Sequence, residues 1–474
     1  MQKRHISAIL MTAMLASTFA AVSCGVIGKP SETTTGSGND TTTEPVVVLP
    51  NYGQKEFTIL YRNEWSYEFI AEEETGDLVS DAIYRRNNKV AEDYNVNLQF
   101  TGVDGNWGNR DVFDKVMRDS IMAGDNSFDI VAGYQACMVT PAMEGLFLNI
   151  NDIPELVQSN KWWSEKCAES LTVNDCIYMI TGDIALSMWN GLYCVYFNKT
   201  LADNYKIGNV YDIVTSGKWT VDKLYELSSL VSDDINGDGK YDENDRFGLV
   251  THSNAARNYI VSFDTPVLTE NSDGVMEYTF YNERSQTAAD KIKELFNKQS
   301  TFKNAKAPDV FLNGQALFYN NILEFATQNR DSEVNFGIIP VLKLDENQKE
   351  YYTSTSNGVS MMSFPMTLED TSMAGTLVEA LCKESNSIVV PEYYEKTLKT
   401  KGARDDDSQA MIDLIRDSLK FDFGWVHSLE LGSVGVIYEY VANGEFFASK
   451  LASIENQIKS GLERINEAYA KLNK

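Results

Sequence analysis

Histidine is nearly missing. The 474-residue chain has three, and His5 lies in an N-terminal segment with the marks of a cleaved signal, which leaves His252 and His427. Histidine-based acid–base or nucleophilic catalysis therefore has little to work with. Gly-x-Ser-x-Gly, His-Glu-x-x-His and Gly-rich phosphate-loop patterns are absent as well. Positive charge is scarce: 41 Lys and Arg face 68 Asp and Glu, for a net charge of -27. That balance excludes nucleic acid, whose binding needs clustered cations to neutralise phosphates. Acidity itself speaks to solubility and to repulsion from anionic surfaces, and names no ligand. Cysteines number six, and no CxxC or Cys/His spacing suggests zinc. Setting Cys24 aside leaves five, an odd number that cannot pair completely. Small buried hydrophobes are the commoner outcome, with a Cys167–Cys176 bridge as the alternative in an exported protein. After Val22 no apolar run approaches the roughly 18 residues that span a bilayer.

What is present begins with export. Lys3 and Arg4 precede an apolar run from Ile6 to Val22, which closes on Ala21-Val22-Ser23-Cys24-Gly25. A positive start, a short hydrophobic middle and a small-residue cut site read as a secretory signal over 1–23. Its end resembles a bacterial lipobox, which implies acylation of Cys24 and a lipid anchor on the outer face of a cell membrane. Residues 24–53 then form a Gly, Ser, Thr and Pro rich tether, with too little apolar surface to offset its ordering entropy. The body from residue 54 is long enough for two domains, and a composition of 43% hydrophobic and 11% aromatic residues supports real cores.

Phe57–Tyr61 reads as a buried strand, Leu78 to Tyr94 repeats at helical spacing, and Val96, Leu98 and Phe100 alternate as a strand. A helix over Val112–Met122 and a strand over 128–132 repeat the unit. Strands alternating with helices predict an α/β fold with mainly parallel sheets, whose ligands sit beyond the carboxyl ends of the strands. Those ends carry Arg62, Asn63, Glu64 and Trp65 after the first strand, and Tyr134 and Gln135 after the strand at 128–132. Tyr193–Lys199 opens a second α/β region. Thr220 is placed to cap a helix with Leu224, Leu227, Leu230 and Val231 on one face. The apolar residues from Phe447 to Tyr469 recur at three and four, which favours a terminal helix packed on its own domain over a coiled coil.

Asp234, Asn236, Asp238, Lys240, Asp242 and Asp245 occupy positions 1, 3, 5, 7, 9 and 12 of a loop with Gly239 at position 6. Five side-chain oxygens and the Lys240 carbonyl suit calcium, in a structural role. A solvated Asn/Asp/Gly turn is the alternative. The shorter Asp245, in place of the usual Glu, weakens such a site.

Several segments together resemble a known family. They are Ala123-Gly-Asp125 with Phe128-Asp-Ile-Val131, Glu144-Gly-Leu-Phe-Leu148, Tyr196-Phe-Asn-Lys199, Gly217-Lys-Trp-Thr220 and Phe311-Leu-Asn-Gly-Gln-Ala-Leu-Phe318. In this order they resemble the extracellular solute-binding lipoproteins of bacterial ABC importers, in the group that includes maltose-binding proteins. The resemblance implies two α/β lobes of periplasmic-binding-protein type, 54–188 plus 320–360 and 189–319 plus 361–474. It places hinge crossings near 184–193, 318–323 and 357–363. The ligand contacts it implies are Arg62, Asn63, Glu64, Trp65, Tyr134, Gln135, Trp189, Thr251, His252, Ser253, Tyr319, Asn320, Asn321, Asn357 and Trp425. Trp219, at a helix start, is expected to be structural. The implied activity is capture of a carbohydrate or oligosaccharide by a monomer that hands it to importer membrane subunits, with no catalysis. The competing classes are a calcium-stabilised glycan-acting enzyme, which needs two carboxylates, and a glycan adhesin, which needs no closing hinge.

Overall fold

The computed structural model describes residues 48–472. The expected signal, Cys24 and the tether as far as residue 47 lie outside the described residues. From Leu49 onward the chain forms one compact unit built on two sheets.

The first sheet has strands β1 (Lys55–Arg62), β2 (Val96–Val103), β3 (Ile130–Tyr134) and β12 (Ser360–Ser363), in the order β12-β3-β1-β2. β1 runs parallel to β2 and β3, and β12 returns antiparallel to β3. Phe57, Ile59 and Leu60 are all buried because helices cover both faces, and this is why the strand reads as a continuous apolar run. Helix α1 (Leu78–Tyr94) links β1 to β2. Asp77 starts it by accepting from the N–H groups of Val79 and Ser80, and Asn95 ends it at φ 47°. Helix α2 (Arg110–Ala123) links β2 to β3 and ends at Gly124, φ 65°, a left-handed position that suits glycine.

The second sheet comprises β4 (Tyr193–Asn198), β5 (Ser232–Asp233), β6 (Arg246–Thr251), β9 (Thr301–Lys303), β10 (Ala316–Ile322) and β11 (Phe336–Pro340). Its order is β11-β4-β10-β6-β5, with β9 also on β6. The hairpin β7 (Leu268–Glu270) and β8 (Met276–Tyr278) stands apart. This sheet is mixed where a mainly parallel one was expected, since β4 pairs antiparallel with both β10 and β11 and β5 pairs antiparallel with β6. Because β11 joins the second sheet and β12 the first, the expected assignment of 320–360 to the first lobe is corrected. The exchange falls between Pro340 and Ser360. Residues 361–474 are likewise divided: helix Thr371–Glu384 packs on α1, and helix Asp406–Asp417 packs on β11.

The segments passing between the sheets hydrogen-bond to one another around Leu192. Tyr193 N–H donates to Ser354 O (3.1 Å), Ser356 N–H to Gly191 O (2.8 Å) and Leu323 N–H to Leu192 O (2.9 Å). The third crossing therefore lies a few residues earlier than 357–363, whose last four residues already form β12. Trp219 is fully buried and donates Nε1–H to Pro340 O at 2.9 Å, the structural role expected of it. Thr220 Oγ1 caps helix Val221–Ser228 through Lys223 N–H. Between β3 and β4, the indole N–H groups of Trp162 and Trp163 both donate to Glu379. The terminal helix Phe447–Leu472 buries Phe447, Leu451, Ile458, Ile465 and Tyr469 against the body, as its spacing implied. Cys137, Cys167, Cys194 and Cys382 are unbridged, so no Cys167–Cys176 disulfide forms. Among the described residues, no helix is long and apolar enough to cross a membrane.

Candidate binding cleft

The carboxyl end of β1 delivers Arg62 into the interior, where it is fully buried. Its Nη2 donates to Gly358 O (2.6 Å) and Ser360 Oγ (3.2 Å), while Nε and Nη1 have no hydrogen-bond partner among the described residues. The guanidinium lies 4.9 Å from the Tyr134 ring centre and 5.4 Å from that of Trp65, within cation–π range. Burial pulls its pKa down to about 10, opposed mainly by Glu68. Glu68 is itself fully buried, accepts from Ser187 N–H and Ser360 Oγ, and is raised by that burial. Arg62 and Glu68 thus clasp Ser360 from two sides and fix the end of β1 to β12 and the first crossing.

Asn63 and Glu64 act on the neighbouring turn. Asn63 Nδ2 donates to Asp104 Oδ1 (2.8 Å), and Glu64 accepts from Gly105 N–H (3.0 Å). Between them they hold the loop after β2 that carries Trp107. That ring stands 6.1 Å from Tyr134, has Arg110 4.5 Å over it, and is 46% exposed.

These groups border a cavity of about 500 Å³. The first sheet contributes Trp107, Tyr134 and Gln135, and the second contributes Tyr193, Asn254 and Arg257. The crossing adds Ser356 and Asn357, and a C-terminal stretch from Trp425 to Tyr440 forms the remaining wall. Tyr134 OH donates to Asn357 Oδ1 at 2.9 Å, fixing the phenol across the cleft. Gln135 opens helix Gln135–Met143, is fully buried, and among the described residues has no hydrogen-bond partner for either side-chain amide atom. Arg257 Nε pairs with Glu439 at 2.5 Å. Asp422 accepts Trp425 N–H (2.6 Å) and Ser428 Oγ accepts Gly435 N–H (2.7 Å), which sets the C-terminal wall. Among the described residues, no Asp or Glu lines the cavity. Five aromatic rings among amides and hydroxyls make a surface that can stack flat apolar faces and hydrogen-bond a polar rim.

Of the residues named from sequence, Tyr134, Gln135, Asn357 and Trp425 line the cavity together. Arg62, Asn63 and Glu64 support it from behind, and Trp65 joins them through its contact with Arg62. Thr251, His252 and Ser253 stop one turn short. Thr251 is buried, His252 Nδ1 caps the short helix Ser253–Asn258 by accepting Asn254 N–H, and Ser253 Oγ donates to Glu439. That helix turns Asn254 and Arg257 to the cavity instead. Trp189 packs edge-on against Tyr394 and does not line the cavity. Tyr319, Asn320 and Asn321 do not line it either, because β10 is central in its sheet and its side chains enter the packing on either face. Tyr319 packs on Phe325, Asn320 Nδ2 donates to Tyr259 OH, and Asn321 Nδ2 donates to Tyr319 OH. Trp107, Tyr193, Asn254, Arg257 and most of the C-terminal wall were not anticipated. Trp107 alone carried a usable signal, since it too follows the carboxyl end of a recognisable strand.

The loop from Asp234 to Asp245 is held by its own backbone. Asp234 accepts from Gly237 and Gly239 N–H, Asn236 from Asp238, Asp238 from Lys240, and buried Asp245 from Ile235 and Asp242. Gly237 and Gly239 sit at φ 72° and 79°. Among the described residues no three His, Cys, Asp or Glu side chains gather as a metal set.

No protein-family profile matches the sequence, and no curated protein matches it. Solved structures do match in fold. The galacto-N-biose/lacto-N-biose I-binding protein of an ABC transporter from Bifidobacterium longum, in complex with lacto-N-biose, aligns with a TM-score of 0.59 at 10% identity, over 88% of this chain and 98% of that one. A cyclo/maltodextrin-binding protein complexed with maltotetraose gives 0.54 at 11% identity, over 87% and 97%. An ABC substrate-binding protein from Listeria monocytogenes, in complex with cycloalternan, gives 0.51 at 12% identity, over 88% and 99%. The chain has the two-lobed α/β fold of these binding proteins.

Proposed function

We propose that this protein captures an extracellular oligosaccharide in the cleft between its sheets and delivers it to an ABC importer. One observation carries the reading. A cavity of about 500 Å³ is walled by aromatic rings, amides and hydroxyls from both sheets and the crossing, with the fully buried Gln135 amide left unpaired in its lining. A buried amide without partners costs stability unless a ligand or water completes it, and a sugar hydroxyl both donates and accepts. The fold shared with sugar-complexed binding proteins supports the same reading. In this proposal Trp107, Tyr134 and Trp425 stack on rings, while Gln135, Asn254, Arg257 and Asn357 hydrogen-bond the rim. Arg62, Asn63, Glu64 and Trp65 hold those groups in place.

The protein would act as a monomer tethered by acylated Cys24 to the outer face of the membrane, a reading supported by the sequence of its first 24 residues. It binds without turning its ligand over. Calcium at Asp234–Asp245 is a separate proposal, supported by the oxygen register alone. Thermal-shift screening of the soluble body against an oligosaccharide library, followed by calorimetry and product detection, tests the function. Saturable binding with unchanged sugar, and compaction on binding in small-angle scattering, is expected. Glycan cleavage would establish an enzyme, and binding without compaction an adhesin.

A further inference from the structure

The cavity lining presents a guanidinium in a strongly acidic molecule. Net charge is -27, yet among the described residues Arg257 is the only charged one in the lining. Glu439 occupies only the Nε edge of its guanidinium; among the described residues the two terminal nitrogens have no protein partner. Two further arginines stand behind the aromatic wall. Arg62 lies under Tyr134 with Nε and Nη1 unpartnered, and Arg110 lies over Trp107. The acid beside Arg110, Asp111, is 3.7 Å away with its side chain 90% exposed, so water screens it. The carboxylate that acts most on Arg62, Glu68, is pushed by burial toward its neutral form.

A neutral sugar can use such a fork only through hydrogen bonds to its hydroxyls, whereas a carboxylate also pairs with its charge. The acidic body repels anions at a distance, but salt screens that field beyond about 10 Å, and fixed guanidinium forks then decide the matter at contact. An end-on guanidinium fork matches a planar carboxylate with two parallel charge-assisted hydrogen bonds. Resting on the saccharide-capture reading above, we propose that the ligand is an acidic saccharide whose uronate carboxylate docks on the terminal nitrogens of Arg257.

The test uses the soluble body and four sets of probes. These are uronic acid oligosaccharides, their methyl esters, neutral oligosaccharides of equal length, and sulfated disaccharides. Calorimetry should find the uronates tightest, weakened about tenfold or more by esterification and further by added NaCl. Arg257→Gln should abolish the preference for acid over ester, and Arg257→Lys should keep part of it. Both variants should melt near the wild type without ligand, since Arg257 pairs only at a partly exposed edge. Neutral sugars that bind as tightly as uronates would overturn the proposal while leaving saccharide capture intact. A preference for sulfated sugars would overturn the carboxylate assignment. Binding of no saccharide at all would remove the capture reading, and this one with it.

Discussion

Truncating Trp107 separates binding from folding better than any other change in the cleft. Its ring is 46% exposed, and a fully buried Trp removes about 150–250 Å² from water, so roughly 100 Å² remains for a ligand to cover. At about 25 cal/mol per Å² that face is worth roughly 2.5 kcal/mol, approaching two orders of magnitude in Kd. The half already covered by Tyr134 and Arg110 contributes a comparable amount to the free protein, so Trp107→Ala should melt only a few degrees lower in a body of this size. Trp219→Ala is the control. Its ring is fully buried and bonded to Pro340 O, so its loss should cost about 3–5 kcal/mol of stability and leave affinity untouched wherever the variant is folded. Isothermal calorimetry with the saccharide found by screening, run well below both melting temperatures, reads the difference. A Trp107→Ala protein that binds like the wild type would show that the ring stacks on nothing, and the proposed position of the ligand would fall with it.

Three other outcomes are open to measurement. If calcium joins the Asp234–Asp245 loop, at a hundredfold excess over Kd it stabilises the fold by about 2.7 kcal/mol; chelator should then lower the melting temperature of the wild type but not of Asp238→Ala, and equal responses would remove the metal from the loop. Burial pushes the Asp183 carboxyl up to about 7, so the native state keeps a proton that the unfolded chain releases near pH 4. The contribution of Asp183 is therefore full below about pH 4 and is lost as pH rises to about 7. The stability of Asp183→Asn relative to the wild type should climb across that window, and a flat difference would refute the shift. Cys24→Ala should move the protein from the membrane fraction to the medium, and unchanged retention would dispose of the lipid anchor.

How much could be read beforehand depended on whether a residue's role was local. Phe57, Ile59 and Leu60 announce β1 because both faces of the strand are covered, and Thr220 announces a helix start because capping acts over three residues. Arg62, Tyr134 and Gln135 followed from strand ends alone. Tyr319 to Asn321 did not, because a polar strand looks the same whether its amides meet a ligand or, like Asn320, a buried phenol. Arg257 was missed by one helical turn, since nothing in Thr251-His-Ser-Asn254 shows that the chain coils there. The oxygen register from Asp234 to Asp245 was legible, whereas the backbone N–H groups that those oxygens accept are pairings no spacing rule counts. Apart from Trp425, the C-terminal wall was illegible for a different reason: its residues have no period and meet only when the chain folds back on itself.

That wall has an evolutionary corollary. Eight of the seventeen lining residues come from Trp425 to Tyr440, a stretch that contributes no strand to either sheet. Substitutions there can change what is recognised without disturbing the sheets that define the architecture. A molecule so divided can keep one scaffold while what its cavity accepts drifts. Exchanging this one segment between homologues is then the shortest route to a new specificity.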